Sequence, residues 1–159
     1  MKTLKVGAYN IYSMRVYPRI DIYEQEFCGN VINEYSPDIL GLTEVSSGEA
    51  YGEQPKELAK ITNYPYFSFT PVLELPKRLY GNALLSKYPI IESEMIRIED
   101  AKEKNDYEYF ESRGILKTKV DVLGGITVIV SHFGLAQEEK KNAVKKVIEV
   151  LGDNPKKTI

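Results

Sequence analysis

The chain has 159 residues, of which 43% are hydrophobic and 28% charged, and this balance predicts one globular domain. Its 21 basic and 23 acidic side chains give a net charge of −2, which argues against a strongly basic surface for non-specific nucleic-acid binding. Cys28 is the lone cysteine, so a disulfide scaffold is excluded, and its place in a helical pattern predicts a buried core residue. Residues 1–10 lack the apolar core of a signal peptide, and no apolar run has the length of a membrane span, so we expect a cytoplasmic protein.

The first elements predicted are a strand and an amphipathic helix. Residues 4–11, LKVGAYNI, alternate between apolar and neutral side chains with the period of a β-strand. Residues 20–35 place Tyr23, Phe27 and Val31 at i, i+4 spacing, which predicts a helix that buries these three side chains. The Ser-Pro pair that follows ends this helix, because the residue before proline avoids the helical region.

A buried strand is predicted next, at residues 38–45. The stretch DILGLTEV is a nearly continuous apolar run, which is typical of a strand covered on both faces. A looser helix and a series of strand patterns separated by turn signals fill the middle of the chain. These elements are a helix at about 53–62 and strands at 66–73, 81–90, 92–98, 113–122 and 125–133, the last two joined as a hairpin.

The last long element predicted is a helix at 136–152. Its apolar stripe consists of Val144, Val147, Ile148 and Leu151, and its end is set by Gly152.

A turn at Asn154-Pro155 and a possible new strand at 156–159 follow that helix. A helix that packs on a sheet normally leads into another strand. We therefore expect that the chain is truncated within a longer domain, with a frayed polar tail as the alternative.

Four polar residues follow or end apolar strands, where open α/β sheets build their sites. They are Asn10, Glu44, Arg113 and His132. Each has a structural alternative: a turn residue for Asn10, a salt bridge for Glu44, a pair with Glu111 for Arg113, and a satisfied strand end for His132. From spacing alone the structural alternative is the more common one for both Glu44 and His132.

The functional interpretation of these residues is phosphate chemistry. A carboxylate that closes a buried strand is costly unless it is paired or binds a cation, and Mg²⁺ prefers such oxygen ligands. The Arg113 guanidinium suits bidentate phosphate recognition, and His132 is suited to act as a general acid or as a donor to a phosphoryl oxygen. Several other chemistries are excluded, because the chain has no phosphate-cradling glycine loop, no G-x-S-x-G elbow, and too few histidines and cysteines for a structural zinc site.

Five stretches, in this order, resemble the endonuclease/exonuclease/phosphatase family of DNase I-like metal-dependent phosphoesterases. They are LKVGAYNI, SPDILGLTEV, YGNALLSKYPI, ESRGILKTKV and GITVIVSHFGL, and they span residues 4 to about 135. The family typically shows a strand ending in Asn-Ile, a Pro-Asp-Ile-(apolar)-Gly-Leu-Gln-Glu-Val strand, a Gly-Asn-Ala strand, a Glu-x-Arg strand and a strand ending in Thr-His-Leu. One departure is Thr43, which stands where the family usually has glutamine.

The resemblance implies a role for each matching residue. It implies that Glu44 binds Mg²⁺ or Mn²⁺ and that Asn10 lies beside the metal and the scissile phosphate. It further implies that Arg113 touches the phosphate and that His132 faces it and protonates the leaving group. Asn82 matches a further family position, which we assign to phosphate binding.

The fold that the resemblance implies is an α/β two-sheet sandwich with outer helices, of which residues 1–159 form the N-terminal part. We expect this chain to supply one mixed sheet with its helices, because the family continues into a Gly-Asp-x-Asn strand and a final Ser-Asp-His. LGDNP at 151–155 looks like the first of these motifs but is interpreted as a helix stop. The full-length protein is then a metal-dependent hydrolase of a phosphodiester or phosphomonoester. The fragment is expected to be inactive alone and to self-associate or pair with its missing half.

Two alternatives stay open: a non-catalytic binding module on the same fold, and an unrelated α/β domain with accidental matches. They differ geometrically, because only the family assignment requires Asn10, Glu44, Arg113 and His132 to converge on one cleft. The phosphate-ester substrate is unresolved among nucleic acid, nucleotide, phospholipid head group and sugar phosphate. The acidic and aromatic segment 99–111 predicts a loop near the site or a solvated connection.

Overall fold

The structure is a computed structural model, and it describes residues 3–152 and 157–159. Two sheets pack face to face, with helices on the outer surfaces and a small hairpin beside them. The strands are β1 (Val6–Asn10), β2 (Arg15–Val16), β3 (Arg19–Tyr23), β4 (Ile39–Gly48), β5 (Gly52–Glu53), β6 (Tyr66–Leu75), β7 (Arg78–Ser86), β8 (Ile90–Arg97), β9 (Gly114–Val120) and β10 (Ile126–Ser131). The helices are α1 (Gln25–Tyr35), α2 (Gln54–Ile61) and α3 (Gln137–Leu151).

The first sheet has the strand order β1-β4-β7-β6, with β5 paired to β4, and the second has the order β10-β9-β8. β1 runs parallel to β4, and the remaining pairs in both sheets are antiparallel. The sheets meet through an apolar layer that contains Ile39 and Leu84 from the first sheet and Leu116, Val128 and Val130 from the second. A second apolar layer lies between the first sheet and the helices α1 and α2.

This architecture confirms the two-sheet sandwich with outer helices, but the expectation of one mixed sheet is wrong. Strands of both sheets are present among the described residues. The reason lies in β4, whose apolar run has two faces to cover. Leu40 and Leu42 pack toward α1 and α2, while Ile39 packs in the layer between the sheets.

The helix predicted at 20–35 is wrong at its start and in its buried face. Arg19–Tyr23 is strand β3, paired with β2, and the Tyr23 ring packs edge-on against Tyr51 with centroids 5.2 Å apart. The side chains that α1 buries are Cys28, as predicted, and Ile32, whereas Phe27 is 48% exposed. Tertiary contacts outweigh the local helical period here, because α1 packs against α2 as well as against the sheet.

The C-terminal helix α3 is confirmed in position, but its predicted apolar stripe is right only for Val147 and wrong for Val144 and Ile148. Val144 is 48% and Ile148 is 63% exposed, whereas Ala143 is buried. Ala143, with Val147 at its side, packs on the second sheet, because a small side chain lets the helix approach closely. Gly152 ends the helix at a φ of +61°, as its sequence position predicts.

At the predicted new strand, residues 157–159 form an isolated bridge to β10 and no assigned strand. Thr158 forms a parallel bridge with Thr127, and the Ile129 amide donates to the carbonyl of Ile159 at 2.9 Å. The short segment therefore extends the second sheet beyond β10. The predicted turn at Asn154-Pro155 and most of LGDNP lie outside the described residues. In the part of the chain that the structure describes, no helix is both long and apolar enough to cross a membrane.

Candidate functional site

Asn10 and Glu44 meet because β1 and β4 are parallel neighbours. The register pairs Asn10 with Thr43, so the carboxyl end of β1 lies beside the middle of β4, next to Glu44. Asn10 Nδ2 donates a hydrogen bond to Glu44 Oε1 at 2.7 Å. The other atom of the same amide, Oδ1, accepts from the backbone N–H of Tyr12 at 3.0 Å, which fixes the orientation of the side chain.

A β-bulge turns Glu44 out of the core. The pairing of β4 with β7 slips between Leu42 and Val45, and both of these side chains are fully buried. Glu44 itself has a φ of +56°, a left-handed conformation that costs a non-glycine residue on the order of 1 kcal/mol. The bulge therefore interrupts the apolar alternation of β4 and directs one carboxylate toward the end of the sandwich.

Arg113 and His132 come from the second sheet, at adjoining ends of an antiparallel pair. Ser131 pairs with Ile115, so the residue after β10 lies beside the residue before β9. Arg113 Nη1 lies 3.3 Å from His132 Nδ1 and 2.8 Å from a carboxylate oxygen of Glu111. His132 Nδ1 is in turn 3.8 Å from Glu44 Oε1, so one polar cluster joins the ends of both sheets.

The contact with Arg113 indicates which ring nitrogen of His132 carries the proton. A guanidinium can only donate, so Nδ1 must accept, and the neutral ring then carries its proton on Nε2. Burial lowers the pKa of His132, and the Arg113 charge lowers it further, while the Glu44 and Glu111 charges act in the opposite direction. The lowered pKa favours the neutral ring, in which Nε2 is the donor.

Asn82 lies in the same region, but its amide nitrogen is engaged by the protein. Nδ2 donates to the carbonyl of Gly114 at 3.0 Å and lies 3.5 Å from the carbonyl of Val130. The side chain is 3% exposed and ties β7 to β9 next to Arg113. The predicted phosphate contact of Asn82 stays a prediction, and its observed contacts are those of a positioning residue.

Glu44, Arg113 and His132 line an open cleft of about 330 Å³ at the end of the sandwich. Asn10 is not part of its wall and reaches the site through its hydrogen bond to Glu44. Asn82 lines a smaller neighbouring pocket, together with Glu44, Arg113 and His132.

Several cleft residues had no assignment from the sequence, among them Tyr80, Arg78 and Arg15. Tyr80 could have been found from its place in the quoted YGNALL stretch. Burial raises its pKa, and the neighbouring charges of Glu44 and Glu111 raise it further. The two arginines carry no sequence signal, because only the fold brings them together.

The acidic and aromatic segment 99–111 is a loop that reaches the cleft with one end. Tyr109 and Glu111 line the cleft, whereas Tyr107 is 97% exposed. The prediction of a loop near the site therefore holds for Tyr109 and Glu111. The alternative, a solvated connection, holds for Tyr107.

The donor set of the cleft fits a hard divalent cation with few protein ligands. Glu44 offers an ionisable carboxylate at the cleft wall, with the Asn10 carboxamide at 2.7 Å from it. Mg²⁺ commonly takes one or two carboxylates and fills its other positions with water and substrate phosphate. Among the described residues there is no cluster of three or more acidic, histidine or cysteine side chains that could hold a metal ion. A cation in this cleft would therefore need ligands other than these side chains.

The fold and the cleft define a class: an α/β sandwich that gathers a carboxylate, a histidine and an arginine at the ends of strands from two sheets. The sequence model of the endonuclease/exonuclease/phosphatase family matches residues 8–126, which is more than half of the chain. The chain therefore belongs to the endonuclease/exonuclease/phosphatase family. No protein of curated function matches it in sequence.

Solved structures show the same fold. An endonuclease/exonuclease/phosphatase protein of Beutenbergia cavernae has 23% identity and a TM-score of 0.76, over 92% of this chain and 43% of that one. A family protein of Bacteroides vulgatus has 15% identity and a TM-score of 0.66, over 96% and 63%. A mannosyl-6-phosphatase of Bacteroides thetaiotaomicron has 15% identity and a TM-score of 0.64, over 96% and 61%. This chain thus spans 43 to 63% of the length of these structures.

Proposed function

We propose that this chain supplies the metal- and phosphate-binding part of a metal-dependent phosphoesterase, a hydrolase that cleaves a phosphodiester or phosphomonoester bond. The observation that carries the proposal is the convergence of Glu44, Arg113 and His132, from two sheets, in one cleft. Asn10 joins this group through its hydrogen bond to Glu44. A carboxylate, a guanidinium and a neutral imidazole donor match the parts of a phosphoryl group and its counter-ion. Family membership supports the same reaction class.

Each residue has a defined task in this proposal. A Mg²⁺ or Mn²⁺ ion held by Glu44 would neutralise charge on the phosphoryl oxygens. Arg113, held in place by Glu111 at 2.8 Å, donates to those oxygens. The neutral His132 ring donates a hydrogen bond from Nε2 to a phosphoryl oxygen, and Asn10 holds the Glu44 carboxylate in orientation.

The proposal includes little or no turnover by this chain alone. The second carboxylate of the cleft, Glu111, is paired with Arg113 and is not free to activate water. We expect a longer protein to bring that base, since this chain spans 43 to 63% of the solved relatives described above. Rapid hydrolysis of bis-p-nitrophenyl phosphate by this chain with Mg²⁺ would contradict this division of labour.

The central test is Mn²⁺ binding, followed by the paramagnetic resonance signal of the free ion. Glu44→Gln keeps the size of the side chain and removes its charge, so the Mn²⁺ dissociation constant should rise about tenfold or more. Asp38→Asn is the matched control, because Asp38 lies just before the start of β4 and pairs with Lys87. Equal Mn²⁺ affinity for Glu44→Gln and the unmodified chain would overturn the proposal.

The same experiment separates the non-catalytic alternative. A binding module that lost the chemistry would show no Glu44-dependent Mn²⁺ affinity, and a longer protein containing it would not hydrolyse phosphate esters. The cytoplasmic location expected from the sequence stays a prediction. So does self-association or pairing with a further segment, which light scattering of the purified chain would test.

A further inference from the structure

The arginines of this chain fall into two groups. The sequence has five, and three of them form ion pairs: Arg19 with Glu24, Arg97 with Asp100, and Arg113 with Glu111. Arg15 and Arg78 contact no carboxylate among the side chains that the structure describes. In a chain with two more acidic than basic side chains, two unpaired guanidiniums in one place need an explanation.

Arg78 is held in a fixed position by neutral groups. Its Nε donates to Ser46 Oγ at 3.0 Å, and its Nη2 donates to Ser13 Oγ at 3.1 Å. The guanidinium carbon also lies 4.7 Å from the centre of the Tyr51 ring and 4.6 Å from that of Tyr80. Serine and tyrosine contacts orient the guanidinium without neutralising its charge.

Arg15 is oriented in a similar way. Its Nη2 lies 3.2 Å from the hydroxyls of both Tyr23 and Tyr51, and it lies over both of these rings. Its Nε is buried and has no hydrogen-bond partner among the described groups. A partly desolvated charge with an unsatisfied donor is costly, and an anion that binds beside it would offset this cost.

Both arginines line the cleft that also contains Glu44, Arg113 and His132. We propose that Arg15 and Arg78 form a second anion subsite, which takes the second phosphate of a small bisphosphate substrate. The other phosphate of that substrate lies at Glu44 and Arg113, so this inference rests on the proposed function. The established family assignment does not specify such a substrate, and the subsite defines which phosphate esters this cleft prefers.

The cleft favours a small molecule over a nucleic-acid backbone. Its volume of about 330 Å³ lies at the small end of the range of roughly 300–1,000 Å³ for small-molecule sites. The whole chain carries a net charge of −2, whereas a nucleic-acid groove needs basic side chains spread along a strand. Positive charge that is concentrated at one compact position suits two phosphates joined by a short linker.

The test uses phosphonates that cannot be hydrolysed. Binding of methylene, ethylene, propylene and butylene bisphosphonates, measured by calorimetry with Mg²⁺ present, is compared with binding of propylphosphonate. We expect at least one bisphosphonate to bind about tenfold tighter than propylphosphonate, which is typical of one added charged contact. Arg78→Gln and Arg15→Gln should abolish this preference and leave propylphosphonate affinity unchanged.

Two controls keep the outcome interpretable. Arg97→Gln removes an arginine that is exposed and paired with Asp100, and it should leave the preference intact. Arg78→Lys retains the charge and should retain part of the preference, which guards against a variant that merely misfolds. Thermal unfolding by circular dichroism confirms that each variant is folded.

The possible failures are distinguishable. If propylphosphonate binds in an Arg113-dependent way but no bisphosphonate binds more tightly, the second subsite is wrong and the proposed function stands. If bisphosphonates bind through Arg78 but Arg113→Gln has no effect on any ligand, the proposed function fails. An Arg78-dependent gain for a short thymidylate oligonucleotide, without one for the bisphosphonates, would overturn the small-molecule assignment.

Discussion

Two carboxylates of the β4 segment lie in different settings: Asp38 just before the strand begins, and Glu44 at the bulge in its middle. At the amino end, Asp38 accepts a hydrogen bond from the Lys5 backbone N–H at 2.9 Å and pairs with Lys87 at 3.5 Å. In the middle of the strand, Glu44 lies on a bulge with a φ of +56° and shares its surroundings with His132 and Asn10. Asp38 therefore connects separate segments of the chain, whereas Glu44 lies on the wall of a cleft.

The contrast shows that the contacts around Asp38 and the polar cleft around Glu44 lie in different parts of this fold. Near Asp38, backbone and side-chain groups satisfy one another: the Tyr64 hydroxyl donates to the carbonyl of Pro37 at 2.6 Å. Around Glu44 the cleft wall contains residues in the left-handed region, with φ of +46° at Tyr12 and +54° at Ser13.

Positive φ also occurs near Asp38, at Ser36 and Asn63, so backbone conformation does not separate the two regions. What separates them is the charge, because Arg15 and Arg78 at the cleft form no ion pair among the described residues, whereas Asp38 is paired with Lys87.

The largest effect expected is on anion binding at the cleft. Arg113→Gln removes the donor that we place on the phosphate, so the dissociation constant for inorganic phosphate should rise about tenfold or more. Isothermal titration calorimetry measures this constant directly. Lys87→Gln, beside Asp38, changes one basic side chain in the same way and should leave phosphate affinity unchanged. A similar loss in both variants would mean that the two regions do not differ in the way described.

An intermediate effect is expected on stability, with opposite signs in the two regions. Asp38→Asn weakens a hydrogen bond and an ion pair, and it should lower the free energy of unfolding by about 1 kcal/mol. Glu44→Gly removes a strained side chain and its charge, so the unfolding free energy should stay equal or rise by up to about 1 kcal/mol.

Urea denaturation measures both variants at neutral pH, where the Glu44 substitution is also expected to remove Mn²⁺ binding. A marked fall in the unfolding free energy of Glu44→Gly would show that Glu44 stabilises the fold as Asp38 does.

The smallest effect concerns pH in the region of Asp38. Burial raises the pKa of Tyr64 from 10.0 to about 12, so the neutral phenol is favoured in the folded chain. The stabilisation from this group is complete below pH 10 and is lost as the pH rises through about 12. Tyr64→Phe should be less stable than the unmodified chain at pH 8, and the difference should shrink at high pH. A constant difference across this range would argue against a buried neutral phenol.

The sequence predicted local features well where one segment determined them. The apolar run of β4 predicted its burial on both faces, and the turn signals predicted the hairpin of β9 and β10. The resemblance also singled out the polar residues that the structure brings together: Asn10, Glu44, Arg113 and His132. It did not show that the Asn82 amide is engaged by the Gly114 carbonyl, because that contact crosses between sheets.

The apolar strands and the polar side chains that follow them could be predicted from the sequence alone, because hydrophobic periodicity and sequence motifs are local properties. The bulge at Glu44, and the strand β3 in place of the start of the predicted helix, could be seen only in the folded structure. The folded structure also shows that Arg15 and Arg78 share a cleft, although 62 residues lie between them in sequence. These features depend on strand register and on packing between distant segments, where the energy comes from contacts that no single stretch of the chain contains.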